Sequence, residues 1–299
     1  MDLLRLAAKI ELDDSSYNKG ISNAEKAAQQ LQGKMSAMTV AVGNIAADLI
    51  RKGVSAVTDV IGGAVDAYAD YEQLVGGVET LFKGSASKVQ KYAKESFKTT
   101  GLSANQYMET VTSFSASLLQ GLDGNTEIAA ELANTAITDM ADNANKMGTD
   151  ISAIQNAYQG FAKQNYTMLD NLKLGYGGTA SEMVRLVNDS GILENKIENL
   201  DGITFDQLVM AIHKIQEEMG ITGTTAKEAA ETISGSKASL AAAWQDLLST
   251  SGGQSDEEFF ASLENFKTSF SAYMENFIPS LLLSINSSGS IAEAIYAVA

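Results

Sequence analysis

The chain has 299 residues, of which 45% are apolar, and its 37 acidic and 21 basic side chains give a formal net charge of −16. This acidic balance disfavours nucleic acid and anionic lipid as main partners and favours other proteins. The absence of cysteine excludes disulfides, thiolate metal sites and cysteine nucleophiles. The single proline, Pro279, favours long uninterrupted helices, so the chain is predicted to be mainly α-helical.

Residues 1–33 are predicted to contain a short strand and the start of a helix. From Leu4 to Leu12 apolar side chains occupy every second position, which is the period of a half-buried strand. Ser22 and Glu25 have the spacing of a capping box, so the first helix is expected to begin there. The segment lacks the basic start, long apolar run and cleavage site of a secretory signal, so export by the general pathway is not expected.

A long coiled-coil-like helix is predicted over residues 34–82. Its apolar positions recur at alternating intervals of four and three residues, which is the pattern of a coiled-coil seam. This heptad seam contains Ile50, Val54, Val57, Ile61, Ala64, Tyr68, Tyr71, Val75, Val78 and Phe82. Glycine pairs at 62–63 and 76–77 predict hinges, because glycine weakens a helix. Two interpretations remain open, self-association through the seam and a buried helix in a globular bundle.

Residues 83–250 are predicted to form a multi-helix domain. Within and beyond this range, Ser or Thr is repeatedly followed three residues later by Glu or Gln, the capping-box spacing that marks helix starts. The pairs are Ser87/Gln90, Ser103/Gln106, Thr179/Glu182, Thr204/Gln207, Thr225/Glu228, Ser255/Glu258 and Ser290/Glu293. Most precede apolar residues at helical spacing, so helices of ordinary length with short loops are expected.

The most distinctive sequence of the domain lies between Ala136 and Gly178. Apolar spacing predicts two helices in it, the first ending at Gly148 and the second capped by Asp150. The stretch closes with Gly175, Tyr176, Gly177 and Gly178, here called the GYGG loop, whose backbone can turn tightly and adopt positive φ.

The amino-acid sequence of this stretch is distinctive. The run ADNANKMGTD…IQNAYQGFAKQNYTMLDNLKLGYGGT closely resembles the N-terminal region of tail tape measure proteins of phages and prophages of Gram-positive bacteria. The segments IELDDSSYNKGISNAEKAA, YADYEQLVGGVETLFKGSASKV, GLSANQYMETVTSFSASLLQGL and EMGITGTTAKEAAETISGSKASLAAAWQDLL resemble the same family in the same order. The resemblance therefore extends from Ile10 to Leu248.

The resemblance implies a structural ruler inside the tail tube, which templates tube assembly and leaves during DNA ejection. Its physical basis is the rise of about 1.5 Å per helical residue, which converts helix length into tail length. Family members are commonly much longer. The chain is therefore expected to be a truncated member, the N-terminal part of a longer member, or a member from a phage with a short tail.

The resemblance also implies the partners and location of the chain. It implies a homo-oligomer, a trimer first and a hexamer as the alternative. Other implied partners are the tail tube protein, distal tail or baseplate hub proteins and tail assembly chaperones, with host membrane contact during ejection and no sequence-specific nucleic-acid binding. The implied location is the tail lumen of the virion, and the host bacterial cytoplasm during assembly.

Residues 251–299 are predicted to form a C-terminal amphipathic helical segment. Its aromatic seam consists of Phe259, Leu263, Phe266, Phe270, Tyr273 and Phe277. Such a stripe is costly to leave in water, so it needs a partner. The alternatives are packing within the chain, binding to other copies, to an assembly chaperone or to the tube wall, and membrane insertion. No apolar window reaches about 18 uninterrupted residues, so no transmembrane helix is expected.

Candidate chemistry in the sequence is sparse. His213 is the only histidine, so a two-histidine zinc site cannot form. Asp139, Asp142 and Asp150 lack the pattern of a calcium loop and are predicted to line a solvated helix face. The GYGG loop lacks the Lys-Ser/Thr of a phosphate loop. No catalytic, cofactor-binding or metal-binding residue is predicted, and the chain is not expected to be an enzyme.

Two alternative functions remain. A helical pore-forming or secreted effector would store the two apolar seams until it meets a membrane, and leakage from liposomes without any tail partner would favour it. A cell-wall hydrolase is the other, because some tape measure proteins carry such modules. A peptidoglycan zymogram would test it.

Overall fold

A computed structural model describes residues 54–251 and 255–288 of the chain, and this part is mainly helical and contains no strand. The strand predicted in residues 1–33 and the seam residue Ile50 lie outside the described residues. The α-helices are α1 Val54–Phe82, α2 Ala86–Thr99, α3 Ala104–Gly121, α4 Thr126–Met147, α5 Ile151–Phe161, α6 Ala180–Ser190, α7 Phe205–Glu218, α8 Thr224–Glu231, α9 Ile233–Ser251 and α10 Asp256–Ser288. Lys83–Ser85 and Leu169–Leu172 form short 3-10 turns. The predicted multi-helix domain is confirmed.

The described residues fall into two compact units. The larger contains Ala69–Leu247 and the described part of Phe260–Ala299. The smaller contains the described residues of 54–68 and of Leu248–Phe259. The hydrophobic core described below belongs entirely to the larger unit.

Helix α4 lies at the centre of the larger unit. It packs against α2, α3, α5, α7 and α8. Ala129, Ala133 and Ala136 are completely buried along it, and such small side chains let neighbouring helices come close. The helix begins after Asn125, whose side chain accepts the amides of two first-turn residues, and ends at Gly148 with φ 61°. A helix with neighbours on several sides favours small side chains, which explains the many alanines of α4.

Most of the predicted helix starts are confirmed within the described residues. Ser103 and Thr204 form capping boxes at the starts of α3 and α7, and the Thr179 side chain accepts the Glu182 amide at the start of α6. The pair Ser255/Glu258 exchanges the same two bonds at the start of α10. The pairs Ser22/Glu25 and Ser290/Glu293 lie outside the described residues.

Two predicted starts are wrong by a residue or two. Helix α2 begins at Ala86, before Ser87, and α8 begins at Thr224, before Thr225. At α8 the reason is tertiary, because a carboxylate of α4 accepts the first amides and replaces the local cap.

Helix α1 runs without a break from Val54 to Phe82, so the hinges predicted at the glycine pairs are wrong for this structure. Around the second pair, Val78 and Phe82 are completely buried in the core of the larger unit. A β-carbon on Gly77 would lie 3.6 Å from the methyl group of Thr112, so this glycine sits where α1 and α3 approach each other. Packing therefore stabilises the helical backbone that glycine alone would weaken.

An aromatic cluster joins helices α2, α9 and α10 within the larger unit. Phe97, Ala242 and Ala243 are buried together, and Phe266 packs against them. The ring of Trp244 lies 5.4 Å from that of Phe266, centroid to centroid. Trp244 is thus half-buried in a packing contact.

Candidate functional site

The stretch from Ala136 to Gly178 forms the second half of α4, then α5, a turn, a 3-10 turn and the GYGG loop. Both predicted boundaries are confirmed, because Gly148 adopts the left-handed conformation and the Asp150 carboxylate accepts the Ser152 amide at 2.8 Å. Asp150 is exposed, as predicted. The other two aspartates predicted to line a solvated face, Asp139 and Asp142, are buried.

Asp142 is completely buried and caps helix α8 from outside. One carboxylate oxygen accepts the Gly223 amide at 2.6 Å, and the other accepts the Thr225 amide at 2.7 Å. The N-terminus of a helix favours a negative charge, since its first amides lack partners within the helix. The prediction that Asp142 lines a solvated face is therefore wrong, because α8 folds over it.

Asn143 fastens the segment that follows α5. It is completely buried, and its amide nitrogen donates to the Leu172 carbonyl at 2.9 Å. Leu169 and Leu172 of the 3-10 turn are themselves completely buried. Asn143 thus holds an irregular backbone segment against the core and gives the Leu172 carbonyl a hydrogen-bond partner there.

Asp139 pairs with His213 across α4 and α7. The Nδ1–H of His213 donates to the Asp139 carboxylate, with both oxygens at 2.9 Å. Asp139 is completely buried, whereas His213 is half-buried. The prediction of a solvated face is wrong for Asp139 as well, because α7 covers it.

The pKa values of this pair move in the same direction for different reasons. Burial raises the pKa of Asp139, although the hydrogen bond from His213 opposes it. The hydrogen bond to Asp139 raises the pKa of His213, against the effect of burial. The completely buried Tyr158 lies close enough to Asp139 that the carboxylate charge adds to the effect of burial in raising the phenol pKa.

The GYGG loop is held by helix α6 of the same chain. Arg185 donates to the Gly175 carbonyl at 2.7 Å, and Glu182 accepts the Gly177 amide at 3.0 Å. The Arg185 guanidinium lies 4.3 Å from the centroid of the Tyr176 ring, in cation–π geometry. These contacts within the chain hold the loop against α6.

Two glycines of the loop are required by the backbone. Gly175 has φ of +86°, which side chains with a β-carbon rarely adopt. A β-carbon on Gly178 would lie 2.3 Å from the Thr167 carbonyl oxygen, so the two backbone segments touch at this point.

Replacing Gly178 by alanine is expected to lower the free energy of unfolding by about 1–3 kcal/mol, because the Thr167 backbone must move. Gly177 is the matched control, since a β-carbon there would meet only the Glu182 side chain at an ordinary 3.5 Å. Gly177→Ala is expected to change stability by less than about 0.5 kcal/mol. Urea unfolding of both variants measures the difference, and equal effects would contradict the close approach at Gly178.

The heptad seam lies partly in described side chains. Val54, Val57, Ile61 and Tyr68 belong to α1, but only its backbone is described there. Tyr71 and Val75 are half-buried against the core, and Phe82 is completely buried in it. At this end of the seam the chain itself supplies the packing partner, and self-association through the remaining positions stays a prediction.

The aromatic seam of α10 divides in two. Phe259 and Leu263 are 1% and 5% exposed, so the chain covers them. The rings of Phe266, Phe270, Tyr273 and Phe277 are half-buried, and they stack in the pairs Phe266–Phe270 and Tyr273–Phe277. Partner binding stays a prediction for these four residues.

Comparisons with family models, curated proteins and solved structures give no match. No cluster of three or more His, Asp or Glu residues that could hold a metal occurs in the described ranges. None of the described helices combines the length and apolar character needed to cross a bilayer. Asp139 and Asp142, predicted to line a solvated face, and Asn143, which sequence analysis missed, are all buried residues that hold helices and turns together.

Proposed function

We propose that this chain is a tail tape measure protein of a phage or prophage of Gram-positive bacteria, or the N-terminal part of one. The observation that carries the proposal is the resemblance of the run from Ala141 to Thr179, together with the four further segments in the same order. In this role the chain is structural and has no catalytic centre.

The structural role of that run supports the proposal. Its distinctive polar residues are used for assembly of the fold, since Asp142 caps α8 and Asn143 holds the turn after α5. A sequence that is distinctive because it builds a helical domain suits a scaffold protein better than an enzyme.

The two longest helices suit a ruler. Helix α1 has 29 residues and α10 has 33, which correspond to about 44 Å and about 50 Å at the helical rise. The half-buried aromatic rings of α10 would meet other copies, a chaperone or the tube wall. Oligomerisation, binding of tube and distal tail proteins, and release before the DNA belong to the same proposal.

The proposal is tested by inserting four heptads into α10 in the native gene, after Glu264. The insertion adds about 42 Å of helix, so assembled tails are expected to lengthen by a comparable amount in electron micrographs. Tails of unchanged length would contradict a ruler function of this helix.

A matched control places the same four heptads in the exposed segment at Asn195, between α6 and α7. This insertion leaves the length of α10 unchanged, so the tails should keep their native length. Equal lengthening by both insertions would show that chain length rather than helix length matters.

A further inference from the structure

The second half of the Ala136–Gly178 stretch lines a pocket of about 260 Å³ in the larger unit. The pocket lies between the end of α3, the turn after α5 and the start of α7. Its floor is apolar and consists of the buried Phe161, Phe205 and Leu208. Its rim carries Gln120, Gln164 and Tyr166, of which the two glutamines are exposed. It is called the α3–α5–α7 pocket below.

The polar groups of this rim are available for a ligand. The side-chain amides of Gln120 and Gln164 and the hydroxyl of Tyr166 make no hydrogen bond to any described residue. Ser117 differs, because its hydroxyl donates to the Ala162 carbonyl at 3.1 Å. A free primary amide offers two donors and one acceptor, the complement of a peptide main chain.

The backbone of Gln164 adopts a left-handed conformation, as do those of Lys83, Asp123 and Lys173 among the described residues. Gln164 has φ of +59° just after the end of α5, where the left-handed conformation normally selects glycine. A residue with a β-carbon is disfavoured in this conformation. Strained backbone of this kind is concentrated at binding sites, where a side chain is needed in place.

Charge and size restrict the ligand. None of the described residues that line the pocket is charged, although the whole chain carries a net charge of −16. A charged ligand group would lose its hydration without gaining a counter-ion. The volume is close to the lower end of the range of about 300–1,000 Å³ that is usual for cofactor and small-molecule sites, so a group as small as one apolar side chain fits it.

We propose that the α3–α5–α7 pocket binds an extended, uncharged peptide segment of a partner protein. One apolar side chain of the segment packs on Phe161, Phe205 and Leu208, and the amides of Gln120 and Gln164 pair with its main chain. This inference does not depend on the tape measure function, because the geometry of the pocket is the same whatever the chain assembles into.

The test uses N-acetyl-leucinamide as the probe and the full-length ¹⁵N-labelled protein. Titration is expected to shift the side-chain amide resonances of Gln120 and Gln164 in a saturable way, with a millimolar dissociation constant. N-acetyl-glycinamide, which has the same main chain but no apolar side chain, should not saturate. Failure of the leucine probe to saturate, or equal binding of both probes, would overturn the proposal.

Two substitutions at one position separate binding from folding. Gln164→Ala keeps the β-carbon and removes the amide, so it should weaken binding of N-acetyl-leucinamide about fivefold, the effect of one lost hydrogen bond. Gln164→Gly should also weaken binding, but it should raise the thermal midpoint, because glycine relieves the left-handed backbone. Unchanged affinity in both variants would refute the peptide site.

Discussion

Replacing Asp142 by alanine is expected to lower the free energy of unfolding by about 3 kcal/mol. The buried carboxylate accepts the amides of Gly223 and Thr225, and a hydrogen bond to a charged group contributes about 1.5–3 kcal/mol. Helix α8 would also lose its cap. Urea unfolding measures the total, and hydrogen exchange of the α8 amides should accelerate before that of α4.

Two controls define this result. Asp142→Asn keeps one acceptor oxygen, so about half of the loss is expected. Asp150→Ala removes the exposed cap of α5, which typically costs about 1 kcal/mol. A loss no larger for Asp142→Ala than for Asp150→Ala would mean that the contact to α8 contributes little to stability.

The second large effect concerns the Asp139–His213 pair and depends on pH. Replacing His213 by alanine removes the donor that both oxygens of the buried Asp139 share. The buried carboxylate would then lack its donor, so a loss of about 2–3 kcal/mol is expected at pH 6.5. The loss should be larger at pH 5 than at pH 8, because the raised pKa of His213 contributes stability that is complete at low pH and is lost as the pH rises.

The wild-type protein should itself be less stable at high pH. The raised pKa of His213 provides stability that is complete below the unfolded value of about 6.5 and is lost as the pH rises through the folded value. The raised pKa of Asp139 acts in the same direction, because burial disfavours its ionised form. Nearby Glu217 adds to the shift of His213, and Lys214 opposes it.

Urea unfolding at pH 5, 6.5 and 8 measures this dependence. Asp139→Asn is the control, since it removes the buried charge and should flatten the fall in stability between pH 6.5 and 8. His213→Gln should cost less than His213→Ala at pH 8, because its amide can still donate. A His213→Ala loss that is constant from pH 5 to pH 8 would contradict the pairing.

Local features of the fold were predictable where the chemistry is local. Ser103, Thr179 and Thr204 cap their helices through bonds to residues three positions away, so the spacing alone identifies them. Gly148 ends α4 for the same kind of reason, because only glycine adopts the left-handed backbone easily. The predicted start of α8 is wrong, because the cap of this helix comes from Asp142, which lies 81 positions before Gly223 in the chain.

The burial of Asp139 and Asn143 was predictable from their spacing in the sequence. Asp139 and Asn143 occupy the same three- and four-residue spacing as Ala136 and Met140, so they share the buried face of α4. Acidic residues on a helix normally face solvent, and the prediction of a solvated face rests on that tendency. Only the position of α7 and α8 over this face reverses it.

The sequence by itself determined the helical class, several helix starts and the resemblance to tape measure proteins, because these depend on residue identity and short-range spacing. The tertiary structure decided which polar residues are buried and whether α1 continues through its second glycine pair. It also decided that the backbone of Gln164, at the rim of the α3–α5–α7 pocket, is left-handed. These features depend on contacts between residues distant in the chain, which spacing along one helix does not encode. The carboxylate of Asp142 illustrates the difference: its residue type favours solvent, and its contact with α8 places it in the core.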